Sequence, residues 1–239
     1  MTVVETVSVS TIVFGLDLRF LLGVLGLGWG LLADRLAARW PAHEPEVDAE
    51  GAVVRPAGWV RGIDWRTAVC AVVGAAALAG VGARAEGWAT WELGLLLAWA
   101  LVLVVLLATD LDQRLLPDAL TIPLIVAAPA AVLAGFGRFL EPADLPAAAV
   151  VAIAVPAALY LVSIPFGEGA FGLGDVKFLV GFGLFAGVSR FVLGVIAGII
   201  LAGIVIAVLL LARRISLRTF VPYGPFLIIG ALWALLGPA

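Results

Sequence analysis

Two acidic sequences hold the residues of this chain that are best suited to chemistry. Phe171-Gly172-Leu173-Gly174-Asp175-Val176-Lys177 is a Gly-x-Gly-Asp turn that sets a carboxylate at the start of an apolar segment. Thr109-Asp110-Leu111-Asp112 closes an earlier apolar segment, and Asp110 precedes Asp175 by 65 residues. A charge in hydrocarbon costs on the order of +2.5 to +3.5 kcal/mol at the centre of a spanning helix and less near its end, so these acids call for a partner or a function. Two carboxyl groups a few ångströms apart cannot both ionise easily; they share a proton and titrate as a unit. One can then activate a water while the other protonates or polarises a scissile carbonyl, the chemistry of an aspartyl protease. Glycine at 172 and 174 lets the turn adopt unusual dihedrals and lets a substrate backbone pass close to Asp175.

Plainer readings stand beside that one. A single Asp at a helix N-terminus caps free N–H groups and complements the helix dipole, and Asp175 can do only that for the segment it opens. Asp112 and Asp118 flank Arg114 in a polar link, where each is either solvated or paired with it. Lys177 is either a contact for substrate or lipid or a charge that sets topology. Arg213, Arg214 and Arg218 read as topological charges, with anionic lipid or an acidic part of a substrate as the alternative. His43 lies beside Glu44 without a second His or Cys nearby, which suits a solvated histidine better than a metal ligand. Cys70, the one cysteine, cannot form an intrachain disulfide or a Cys-based zinc site by itself and reads as a core residue of its apolar run. Gly26-Leu27-Gly28-Trp29-Gly30 lacks the strand–turn–helix context of a nucleotide loop; Gly26 and Gly30 are a small-xxx-small pair that admits a neighbouring helix.

The elements that must position Asp110 and Asp175 are membrane spans. Of 239 residues 64% are hydrophobic and 13% charged, with mean hydropathy +1.18, whereas soluble domains carry about 25% charged residues. The apolar runs approach the roughly 20 residues needed to cross a bilayer. The composition therefore predicts an all-α polytopic membrane protein. Net charge −3 and the lack of a separate basic domain argue against nucleic acid. No Lys or Arg precedes Arg19, so the N-terminal segment lacks the basic start of a cleavable signal and is expected in the mature chain.

About eight transmembrane helices are expected, near 13–33, 67–83, 91–108, 120–139, 146–165, 176–188 and 191–212, with the last following Pro222-Tyr223-Gly224-Pro225. Pro123 and Pro129 predict kinks or breaks in the fourth. The one sizeable polar loop, 34–66, has no persistent period and reads as irregular. Two crossings separate Asp110 from Asp175, so parity returns both to one membrane face. With 34–66 on the cytoplasmic side, ten of the Lys and Arg residues lie cytoplasmic and four outside, as the positive-inside rule prefers, and both termini are outside.

Asp110-Leu-Asp-Gln-Arg-Leu-Leu-Pro117-Asp118-Ala-Leu-Thr-Ile-Pro123-Leu resembles the first catalytic motif of bacterial prepilin peptidases, the type IV leader peptidases. Gly172-Leu-Gly-Asp175-Val-Lys177 is similar to their second, the Gly-x-Gly-Asp signature shared with presenilin-like intramembrane proteases. Val221-Pro222-Tyr223-Gly224-Pro225-Phe226-Leu227 resembles their late Pro-Phe-Gly-Pro stretch, and Gly28-Trp-Gly-Leu-Leu-Ala-Asp34-Arg35-Leu36 the end of their first membrane helix.

The resemblance implies a single membrane-embedded peptidase domain over 1–239 in the bacterial cytoplasmic membrane. Asp110 and Asp175 would be its catalytic pair, Gly172 and Gly174 its active-site loop, and Asp112, Asp118 and Lys177 accessory. Its substrates would be the class III signal peptides of type IV prepilins or pseudopilins, cut after a glycine at the cytoplasmic face. Peptidase activity needs no cofactor or metal in this family. Larger members carry two Cys-x-x-Cys pairs in the first cytoplasmic loop and also N-methylate the new terminus with S-adenosylmethionine. The 34–66 loop has no cysteine, which excludes a Cys-based zinc centre there on ligand grounds and leaves methyl transfer undecided. The rival readings are another Gly-x-Gly-Asp intramembrane protease and a non-enzymatic transporter or assembly protein. The latter needs a polar path across the bilayer, for which Glu92 is the one ionisable residue within the later segments. Membrane lipid is the expected surrounding partner. The topology predicts that a periplasm-dependent phosphatase fused within 34–66 stays inactive and one fused to the C-terminus is active; the reverse pattern overturns it.

Overall fold

A computed structural model describes residues 11–13, 16–42, 46–47, 53–55, 62–166, 171–215 and 222–237. His43, Pro45, Pro56, Arg61, Arg218 and Val221 lie outside the described residues, as do 167–170 of the glycine-rich loop. Among the described residues the protein is all-α, with seven α-helices of which five are long and apolar enough to cross a membrane. Short antiparallel strand pairings at Thr11–Val13 with Leu16–Asp17, and at Glu46–Val47 with Val53–Arg55, form no sheet layer. The second falls in the polar loop and is too short to leave an alternating pattern in the sequence. The chain divides into two compact units, Met1–Ala108 and Thr109–Ala239.

In the first unit α1 (Leu18–Ala37) and α2 (Trp65–Gly82) are an antiparallel pair. Asp17 caps α1 by accepting the Arg19 N–H at 2.9 Å. The two backbones meet at glycine. A methyl on Gly26 would strike the Gly74 carbonyl, and one on Gly30 would strike the Cys70 carbonyl and lie 2.7 Å from the Ala71 Cα. A methyl on Gly82 would come 2.9 Å from the Arg19 Cα at the other end of the pair. Small residues do this in lipid because tails are as apolar as leucine, so helices associate by close packing rather than by escape from water. Cys70 is fully buried in that seam.

The polar loop is shorter than its sequence suggests, because α1 continues through Asp34 and Arg35. Asp34 is buried, and its Oδ2 accepts from Thr67 Oγ1 and from Arg35 Nη1, both at 2.9 Å. Thr67 belongs to the capping box of α2, where Asp64 Oδ1 accepts the N–H groups of Arg66 and Thr67 at 2.9 and 3.1 Å. A buried carboxylate held from two elements thus closes the end of the helix pair. Trp29 Nε1 donates to the Leu101 carbonyl of α3 (Thr90–Gln113) at 3.0 Å. Glu92 accepts the Ala89 N–H at 2.8 Å and so caps α3.

The second unit opens with the last turn of α3 and contains α4 (Asp118–Leu133), α5 (Leu145–Ser163), α6 (Leu173–Leu211) and α7 (Gly224–Leu236). α4 runs as one helix across Pro123 and Pro129, without the break expected there. It ends where Gly135, at φ 101°, lets Phe136 N–H reach the Ala131 carbonyl at 3.0 Å, a Schellman closure. α6 has 39 residues and joins the expected sixth and seventh segments; the kink between them falls at Gly187, at φ 71° and ψ 169°. Ser189 and Arg190, expected to form a connection, are helical. Arg190 instead donates to the Ala234 carbonyl at 2.7 Å and lies 4.8 Å from the Phe139 ring centre.

Glycine again brings these helices together. A methyl on Gly181 would lie 3.2 Å from the Ile125 nitrogen of α4, and one on Gly183 would lie 2.6 Å from the Ala152 Cβ of α5. One on Gly198 would lie 2.9 Å from the Phe226 carbonyl of α7. Outward faces stay apolar, as Val126, Val150, Ile153 and Ile200 show, the pattern of helices whose solvent is lipid. Replacing Gly30 by Leu should destabilise the protein by about 1–3 kcal/mol through overpacking. Gly28, with nothing within 4 Å of its methyl position, should tolerate Ala; thermal unfolding in detergent compares the two.

Candidate active site

The Gly-x-Gly-Asp turn becomes the start of α6. Gly172 is the residue before its first turn, and Asp175 Oδ2 accepts the Gly172 N–H at 2.9 Å, reaching back as the third residue of a capping box does. Gly174 packs against the chain that follows Asp110: a methyl there would lie 3.0 Å from the Leu116 Cβ and 3.4 Å from the Leu116 carbonyl oxygen. Two glycines thus have two different parts. One supplies an N–H to the carboxylate, and the other lets the 111–118 link lie against the turn.

Asp110 stands in the last turn of α3, which continues past it to Gln113. Arg114 N–H donates to the Asp110 carbonyl at 2.9 Å, and Arg114 ends the helix at φ 55°, a left-handed conformation uncommon outside glycine. The Asp110 side chain is 5% exposed, and its Oδ2 is buried without a hydrogen-bond partner.

The two carboxyl groups meet at the first residue of α7. A methyl built on Gly224 would overlap Asp110 Oδ2, lie 2.8 Å from Asp110 Cγ and lie 2.9 Å from Asp175 Oδ1. Both carboxyls therefore border one point and stand within a few ångströms of each other. Asp175 divides its oxygens: Oδ2 takes the Gly172 N–H, and Oδ1 faces Asp110 and Gly224.

The remaining candidates separate. Lys177 Nζ holds both oxygens of Asp118, at 2.7 and 2.8 Å, so Asp118 pairs with α6 rather than with Arg114. The pair stands at the surface, with side chains 37% and 58% exposed, and joins the first turns of α6 and α4. Asp112, two residues after the buried Asp110, is half-exposed, and the atoms nearest the Gly224 methyl position belong to Asp110 and Asp175. Gly224 itself was recognisable in the sequence only as part of the late motif. Its contact with both carboxyls depends on the packing of α7 and has no local signal.

Residues 95–208 match the type IV leader peptidase family, a stretch that holds both aspartates, the Gly-x-Gly-Asp turn and Lys177. The chain is 30% identical to a prepilin leader peptidase/N-methyltransferase of Stutzerimonas stutzeri, over 62% of this chain and 50% of that protein. It is 31% identical to one of Pseudomonas aeruginosa over 62% and 50%, and 33% identical to one of Aeromonas hydrophila over 64% and 51%. The chain spans about half the length of these curated relatives. No solved structure matches it.

An exposed lysine–carboxylate pair contributes about 1 kcal/mol or less. Lys177→Met and Asp118→Asn should therefore each shift the unfolding midpoint only slightly, and the double variant should do no more than either single one. A large shift in thermal unfolding from either change would show that the pair carries more than helix registration.

Proposed function

We propose, from the premise that the chain belongs to the type IV leader peptidase family, that it is a membrane aspartyl endopeptidase that removes the leader peptide of type IV prepilins or pseudopilins. The observation that supports this most is the convergence of Asp110 Oδ2, buried without a hydrogen-bond partner, and Asp175 Oδ1 on Gly224. Unsatisfied buried carboxylate oxygens are costly, and a site that keeps one open has use for it.

The chemistry follows from a pair that shares one proton. The ionised carboxyl takes a proton from a water as its oxygen attacks the scissile carbonyl carbon. The protonated carboxyl gives its proton to the carbonyl oxygen, and a tetrahedral diol results. Collapse of the diol returns a hydroxyl proton to the second carboxyl, breaks the C–N bond and delivers the first carboxyl's proton to the leaving amine. The carboxyls need no Lewis acid for this sequence, so the peptidase reaction as proposed has no cofactor. The Gly172 N–H holds one Asp175 oxygen and thereby orients the other, a preorganisation that lowers the cost of reaching the transition state.

The finer assignments follow the same reading. The chain is an inner-membrane protein with about eight crossings, counting the two parts of α6 and the two shorter helices, and with both termini outside. The cut falls after a glycine at the cytoplasmic side, with Asp112, Asp118 and Lys177 accessory. Methylation of the new terminus would be a separate activity and would require S-adenosylmethionine.

Asp110→Ala and Asp175→Asn should each abolish cleavage of a prepilin by the purified membrane protein while leaving it inserted and folded. Asp112→Ala should keep substantial cleavage. Product mass, read with and without S-adenosylmethionine, separates peptide cleavage from methyl transfer. Normal turnover by either of the first two variants would sink the catalytic pair, and an inactive Asp112→Ala would move it to the neighbouring acid.

A further inference from the structure

We infer that Gly224 is a positioning residue for the carboxylate pair, its missing side chain setting how closely Asp110 and Asp175 approach; this rests on the peptidase reading above. Ordinary van der Waals contact to a methyl carbon begins near 3.4 Å, and the methyl position on Gly224 violates that distance for atoms of both aspartates at once. Only a Cα hydrogen fits between the backbone and the two carboxyls. The first residue of α7 is therefore a wall common to both acids, made of backbone and hence stiffer than any side chain.

A second observation points to the same place. Asp110 Oδ2 is buried and without a hydrogen-bond partner, and it is the atom nearest the Gly224 methyl position. The start of α7 is also a sparse one. Pro225 has no N–H, and the N–H groups of Phe226 and Leu227 both donate to the Tyr223 carbonyl, at 3.1 and 3.2 Å. Among the described residues this leaves the Gly224 amide without a helical acceptor, at the positive end of a 13-residue helix.

The placement of Gly224 is enforced from a distance. A methyl on Gly198 of α6 would lie 2.9 Å from the Phe226 carbonyl and 3.0 Å from the Leu227 Cα. One on Gly230 of α7 would strike the Gly194 carbonyl and lie 2.7 Å from the Gly198 nitrogen. Arg190 Nη1 holds the Ala234 carbonyl at 2.7 Å near the other end. α7 is thus fixed against α6 at three levels and cannot slide to relieve crowding at its first residue.

The test uses the purified full chain and prepilin cleavage across a pH series, beside thermal unfolding. Gly224→Ala should lower kcat by about 100-fold, the cost of misplacing reacting groups by an ångström, with KM little changed. It should also narrow the pH range of cleavage, because carboxyls pushed apart share a proton less strongly. Gly203→Ala, at a position with nothing within 4 Å, should match the unmodified protein in rate and pH profile. A merely structural Gly224 would lower the yield or unfolding midpoint and leave the pH profile of the folded fraction unmoved, which overturns the proposal. Where Gly224→Ala does not fold, the triple variant Asp110→Ala/Asp175→Ala/Gly224→Ala decides. Removing both carboxyls makes room for the methyl, so its unfolding midpoint should equal that of Asp110→Ala/Asp175→Ala, and failure to recover overturns the contact. Full activity in Gly224→Ala alongside inactive Asp110→Ala and Asp175→Asn would reject this role alone, whereas active aspartate variants would reject the peptidase reading itself.

Discussion

Backbone-to-backbone approach at glycine is the constraint on which the rest of this molecule depends. Lipid supplies no hydrophobic drive to pair one apolar helix with another, so association rests on packing that only small residues allow. In the second unit α6 is the common partner: it meets α4 at Gly181, α5 at Gly183 and α7 at Gly194 and Gly198. In the first unit α1 and α2 use the same device at Gly26, Gly30 and Gly74. Glycine is a poor residue for an isolated helix, costing about 1 kcal/mol relative to Ala. Here that cost is offset because each missing side chain admits a neighbouring backbone.

The carboxyl pair follows from this packing together with ordinary helix capping. Asp175 is a cap and a member of the pair at the same time, since its two oxygens have different partners. The plain and the chemical readings of the Gly-x-Gly-Asp turn are therefore compatible. Around the pair, Gly174 admits Leu116 and Lys177 grips Asp118, so the link after Asp110 is held to α6 at two points. Neither contact touches the facing carboxylate oxygens. Together they hold the ends of three helices in register.

Much of this is legible in the residues, and what is not has identifiable causes. The acidic motifs stand out because charge in an apolar chain is rare, and Gly26 and Gly30 because their spacing matches one face of a helix. The extension of α1 through Asp34 is hidden, since Asp34 is satisfied by Thr67, 33 residues away. The boundary inside α6 is misplaced for a similar reason. Ser189 and Arg190 resemble a polar connection, yet Arg190 is used by Ala234 and Phe139, and the chain breaks at the apolar-flanked Gly187. Gly224 looks like any turn glycine before a proline. Its importance appears only when a methyl is placed among groups that come from three separate helices.

The contact of Gly198 with Phe226 and Leu227 also fixes a depth. These residues lie within one turn of Gly224, hence at the level of the carboxyls. From Gly198 to Leu211 α6 continues for about 20 Å at its rise of 1.5 Å per residue, still apolar, before Arg213 and Arg214. α6 thus gives the acids two unlike neighbours: the exposed Lys177–Asp118 pair near its start, two residues after Asp175, and a run of apolar turns beyond Gly198.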